Sequence, residues 1–202
     1  LNRSQVDKAI KCFEWAVAYN PEYAEGHNSL GAAYQELKKF DSAKKHFESA
    51  VNLNPNYTQA FHNLGILFEI INQPDKAISS YERAVSLNPW FAEAFRNLSK
   101  IKKYSSEDSQ INHIKAFHAK NELSLSDKSR LSFTLAKISD DIGDKDSYFE
   151  YLNEGSELRR QELNYSIEQS KNFHSAMINF FNAPQPYLKK KSSAYKNINP
   201  IF

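Results

Sequence analysis

Three Asn-Pro pairs, Asn20-Pro21, Asn54-Pro55 and Asn88-Pro89, stand 34 residues apart, and the apolar pattern between them repeats in the same step. A fixed period of this length admits few folds. Each unit is one helical hairpin that cannot bury its apolar face alone, so successive units stack into an array. With Ala24 as position one, Leu30, Gly31 and Tyr34 fall at seven, eight and eleven, and Ala43, Phe47, Ala50 and Pro55 at twenty, twenty-four, twenty-seven and thirty-two. One period later stand Leu64, Gly65, Phe68, Ala77, Tyr81, Ala84 and Pro89. One period earlier stand Ala9, Phe13, Ala16 and Pro21, the second half of a unit, and beyond the second full unit Phe95 and Leu98 follow before the pattern lapses.

Each recurring residue has a mechanical reason. Gly31, Gly65, Ala43 and Ala77 let two helices approach closely, and Tyr34, Phe47, Phe68 and Tyr81 fill the space around them. Asp7, Asp41 and Asp75 share one position at the start of each second helix, where a carboxylate is expected to accept free backbone N–H groups and to favour the positive end of the helix dipole. Each proline ends a helix, because it lacks an N–H and disfavours helical geometry at the asparagine before it.

This motif resembles the tetratricopeptide repeat. The resemblance implies an all-α solenoid of antiparallel helix pairs whose work is to hold another protein. Residues 1–104 then comprise a half-repeat, two full repeats and the first helix of a fourth. Residues 105–182 are expected to form a degenerate repeat and capping helices, and 183–202 a linker leading to a further domain. Within the middle segment, helices are expected over about 106–120, from a cap at Ser126 to Ile142, and from Asp144 or Asp146 to about Leu163. A last helix over about 166–181 carries Phe173, Met177 and Phe180 in one stripe, as a structural cap.

The second half has its own resemblance. The run from Leu131 to Asp144, followed by Tyr151 to Arg160, resembles the segment that joins repeats to catalytic domain in bacterial tetratricopeptide sulfotransferases. In that family a Pro-Ile-Phe-like strand then precedes the loop that cradles 3′-phosphoadenosine 5′-phosphosulfate, and Pro200-Ile201-Phe202 matches its start. The resemblance implies that the catalytic domain lies beyond Phe202. No Gly-rich phosphate loop occurs among the five glycines, so no catalytic residue and no cofactor are expected within this chain.

Charge and cysteine content narrow the partners. The formal net charge of +2 is too near balance to argue for nucleic acid or membrane. Cys12 is the only cysteine, which excludes an intrachain disulfide and a thiolate zinc site, and a cytoplasmic location is expected. His27, His46, His62, His113, His118 and His174 show no ligand spacing, and Asp140, Asp141, Asp144 and Asp146 lack the offsets of a calcium loop, so no metal is expected.

The binding face of such an array comes from the first helix of each hairpin. The residues expected to bind peptide are Asn28, Gln59, His62, Asn63, Arg96, Asn97, Lys100 and Lys103. Asn63 and Asn97 share one repeat position and resemble the asparagine ladder of O-GlcNAc transferase repeats, whose amides donate to a carbonyl and accept from an N–H at once. Arg96, Lys100 and Lys103 turn the last stretch basic, which suits an acidic extended peptide. The carboxylate clamp that reads chaperone tails is not expected, because Asn28, Ala32, Glu93 and Asn97 stand where it needs other residues. The chain therefore reads as an interaction scaffold, the recruiting front of a sulfotransferase. A stand-alone adaptor and the recruiting arm of a glycosyltransferase are the alternatives.

Overall fold

The computed structural model describes residues 3–163. The chain divides into two compact units between Arg159 and Arg160, so these residues comprise the first unit and the opening of the second. The expected capping helix over 166–181 and the linker over 183–202 lie outside the described residues.

Among the described residues the chain forms helices α1 (Arg3–Tyr19), α2 (Ala24–Glu36), α3 (Phe40–Leu53), α4 (Thr58–Ile70), α5 (Pro74–Leu87), α6 (Ala92–Ile101), α7 (Gln110–His118), α8 (Leu125–Ile142) and α9 (Lys145–Glu162). The hairpins α2–α3 and α4–α5 coincide with the two full sequence units. Consecutive helices from α1 to α6 pack pairwise, and α8 then packs on both α6 and α7. The fold class is all-α, as the periodicity predicts.

Both turn types of the repeat have visible causes. Between hairpins, the Asn20, Asn54 and Asn88 side-chain Oδ1 atoms accept the backbone N–H of Glu22, Asn56 and Trp90 at 3.0–3.2 Å. Each asparagine thus closes a turn around its proline, which explains why this dipeptide recurs. Within hairpins, the turns that follow α2 and α4 pass through Lys38 and Asn72, both left-handed at φ 58° and 56°. There the N–H groups of Lys39 and Gln73 reach back to the Tyr34 and Phe68 carbonyls at 2.9 and 2.8 Å. Gly143 ends α8 in the same way, with φ 81° and the Asp144 N–H on the Ser139 carbonyl at 2.8 Å.

Close helix approach sets the core. A Cβ added at Gly31 would lie 2.5 Å from the Phe47 ring, and one at Gly65 would lie 2.5 Å from the Tyr81 ring. Ala43, Phe47, Ala50, Ala77, Tyr81 and Ala84 are all buried. The α8–α9 hairpin repeats the device loosely, with Gly155 against the Phe133 ring and the Ser129 hydroxyl donating to the Gly155 carbonyl at 2.9 Å.

Four local expectations need correction. Asp41 and Asp75 lie in the first turns of α3 and α5, but neither helix has a side-chain cap, so their contribution is to the dipole alone; Asp7 lies inside α1. Ser124, not Ser126, caps α8, accepting the Asp127 N–H at 3.0 Å. Helix α7 begins at Gln110, later than expected. Helix α6 stops at Ile101, short of the other first helices. The cause of this stop is Lys102, whose ammonium ties Glu82 and Asp108 at 3.2 Å and Gln110 at 3.1 Å. Its backbone turns extended, and Tyr104 drops into the core at 2% exposure with its N–H on Asp141 Oδ2.

Candidate peptide-binding face

Helices α2 and α4 are the first helices of consecutive hairpins and α6 follows them at the same repeat positions, so equivalent positions on the three line one face. Six of the eight residues expected there join in one hydrogen-bonded chain. Asn28 Nδ2 reaches the Tyr57 hydroxyl at 3.5 Å, and Asn63 Nδ2 donates to Asn28 Oδ1 at 3.0 Å. Gln59 Nε2 donates to Asn63 Oδ1 at 3.0 Å and lies 3.4 Å from His62 Nδ1. On the other side of the imidazole, Asn97 Nδ2 lies 3.0 Å from His62 Nε2, and Lys100 Nζ donates to Asn97 Oδ1 at 2.8 Å.

The sequence carries a signal for this chain that position-matching alone overlooks. Asn28 meets Asn63, and His62 meets Asn97, each pair one period plus one residue apart. Position five of one repeat therefore faces position six of the next. Asn63 and Asn97 are equivalent rungs, but each is tied to the preceding repeat rather than standing free.

Burial grades the face. His62 and Asn28 are buried, Asn63 and Asn97 half-buried, and Gln59 and Lys100 exposed. His62 packs between the Phe91 and Tyr81 rings, and this burial pushes its pKa below the ordinary value against the pull of Glu93 and Glu69. A cleft of about 570 Å³ opens beside Asn63, lined by Ala32, Gln35, Phe40, Phe47 and Ile70 among others.

Arg96 and Lys100 are one turn apart on α6 and share a side of the helix. The Arg96 guanidinium lies over the Phe133 ring, 5.4 Å from its centroid. It is half-buried, its pKa lowered by that burial, and no carboxylate pairs with it among the described residues. Lys103 lies past the end of α6, exposed, in the connection to α7 rather than on the helical face. Tyr104, which follows the helical spacing on paper, is buried away from it.

A second polar cluster was not legible in the sequence. Ser132 of α8, His118 of α7 and Glu154 of α9 meet, with His118 Nε2 at 2.7 Å from Glu154 Oε2 and at 3.1 Å from Ser132 Oγ. The residue types are those of a nucleophile, a base and an orienting acid, but the geometry is not. One imidazole nitrogen serves both partners, so it cannot take a proton from serine while the other nitrogen is held by the acid. Ser132 is fully buried, and its single hydroxyl proton is shared between the Lys128 carbonyl at 2.8 Å and Glu154 Oε2 at 2.9 Å. The cluster is a clasp joining three helices. No group of three or more side chains suited to a metal ion occurs among the described residues, and no described helix is long and apolar enough to cross a membrane.

Comparison with known families and structures agrees with this architecture. Residues 22–89 match a tetratricopeptide repeat model and residues 2–38 match a second, described as a TPR repeat. No curated protein sequence matches the chain. Among solved structures, MamA is similar at 20% identity and a TM-score of 0.58, over 80% of this chain and 93% of that one. YrrB, described as a TPR protein with an unusual peptide-binding site, is similar at 18% identity and a TM-score of 0.55, over 79% of this chain and 81% of that one. At these identities the likeness is one of fold. Residues 2–89 therefore match tetratricopeptide-repeat models, and the described residues have the all-α helical-repeat fold.

Proposed function

We propose that the chain is a protein-interaction scaffold that holds an extended, acidic segment of a partner across α2, α4 and α6. The observation that carries this reading is Arg96. A half-buried guanidinium with five donors and no carboxylate partner is costly to keep, and an anion is the group that repays it. Lys100 beside it adds a second cation, and the amides of Asn63 and Asn97 each retain a free N–H and a free lone pair for a peptide backbone.

Within this proposal the array serves as the recruiting front of a bacterial-type sulfotransferase in the cytoplasm. The narrower reading rests on the 131–160 segment and on Pro200-Ile201-Phe202, which lies outside the described residues. None of the matches above is described as a sulfotransferase. A stand-alone adaptor would use the same face.

Selection of binders from a displayed random-peptide library tests the interaction reading. Enriched peptides should be rich in Asp and Glu, and their affinity should fall between about 50 and 200 mM salt. Enrichment of apolar or basic peptides, with no salt dependence, would remove it.

A further inference from the structure

The amide chain contains a conflict at His62. Asn97 points an N–H at Nε2 and Gln59 points an N–H at Nδ1, yet a neutral imidazole has only one acceptor nitrogen. Side-chain amides present nearly the same shape with oxygen and nitrogen exchanged, so the conflict is relieved by turning Asn97 or by turning Gln59 together with the amides linked to it. Two arrangements satisfy every member. In the first, Lys100 keeps Asn97 Oδ1, Asn97 donates to Nε2, His62 carries its proton on Nδ1, and Gln59, Asn63 and Asn28 all turn over. In the second, Lys100 is released and Asn97 turns to accept from a protonated Nε2. Gln59, Asn63 and Asn28 then keep the donor directions described above.

We propose that Lys100 is a positioning residue that selects the first arrangement, fixing the neutral Nδ1–H form of His62 and with it the donor direction of the amides on three helices. Its ammonium makes the one charge-assisted bond in the chain, at 2.8 Å, and that bond outweighs a neutral amide contact. The groups that face the imidazole agree with a neutral ring. The Phe91 and Tyr81 rings pack on it, and the field of Lys100 opposes the fields of Glu93 and Glu69. The consequence for recognition rests on the peptide-holding reading. A carboxylate that draws Lys100 away frees Asn97 to turn, so an acidic group at α6 resets which atoms α4 and α2 offer to the backbone beside it.

Nitrogen-15 correlation spectra of the histidine side chains test the proposal with no ligand present. At about pH 8 the intact protein should show His62 with Nδ1 protonated, favoured about tenfold. Lys100→Met should shift the ratio toward Nε2–H, and Lys100→Arg, which keeps a charged donor, should restore it. Backbone spectra of each variant confirm that the fold is retained. An Nε2–H form in the unaltered protein, or an unchanged tautomer in Lys100→Met, overturns the proposal. Failure of the peptide selection with the predicted tautomers would instead remove the binding role alone.

Discussion

Glu69 and Gln35 occupy the same repeat position, and so do Tyr81 and Phe47, yet only one of the two pairs is complete. The Tyr81 hydroxyl donates to Glu69 Oε2, and burial together with that carboxylate raises the tyrosine pKa. Phe47 has no hydroxyl, and Gln35 Oε1 is buried without a partner. Tyr81→Phe should therefore destabilise the protein by about 1.5–3 kcal/mol, the usual range for a bond to a charged group. Phe47→Tyr should stabilise it by about 0.5–1.5 kcal/mol by supplying the missing donor. Urea unfolding of both variants checks the pair, and a loss of stability in Phe47→Tyr would mean that the register does not carry over. These positions were legible in the sequence as ring-filling sites. Their hydrogen bonds were not, because the period marks where a residue sits and not which neighbour its polar atom finds.

Helix ends show where sequence reading holds and where it gives way. The Asn-Pro turns and the end of α8 at Ile142 were readable because a single residue type closes each of them. The end of α6 was not, since it depends on Lys102 gathering Glu82 from α5 with Asp108 and Gln110 at the entry to α7. The Ser132, His118 and Glu154 clasp was hidden for the same reason, its members being far apart and outside the 34-residue register. Two glycines separate backbone conformation from packing. Gly143→Ala meets no neighbouring atom and pays only for its left-handed φ, a cost of about 1–2 kcal/mol. Gly65→Ala keeps a helical backbone but drives a methyl into the Tyr81 ring, costing about 1–3 kcal/mol. Crystal structures of the two variants should show an unmoved core in the first and a displaced Tyr81 in the second. A core shift in Gly143→Ala would contradict this assignment.

For the molecule as a whole, the repeat half was legible almost residue by residue, since two full units supply an internal comparison. The later helices lie outside that register, so caps and ends there depend on single bonds that no second copy reveals. The residues expected on the face lie on α2, α4 and α6 except Lys103, and six of them are joined by hydrogen bonds that the repeat positions alone do not reveal. Burial of two histidines gives stability a pH dependence. Burial holds the His62 and His46 pKa values below the ordinary 6.5, so between the folded and unfolded values the unfolded chain binds more protons. The contribution is complete above about pH 6.5 and is lost as pH falls through the lowered folded values. Urea midpoints should drop between about pH 7.5 and 5.5, and less so in His62→Gln. A flat profile, or an equal drop in the variant, would exclude His62 as a source.

The central claim is that Arg96 waits for an anion. Calorimetry of the tightest acidic peptide from the selection, against the intact protein and Arg96→Gln, tests it most directly. The account predicts that Arg96→Gln weakens binding by about 10- to 100-fold, the loss expected for one charge-assisted pair, while exposed Lys11→Gln on α1 leaves affinity unchanged. Equal affinity for the intact protein and Arg96→Gln, with the fold intact, would contradict it.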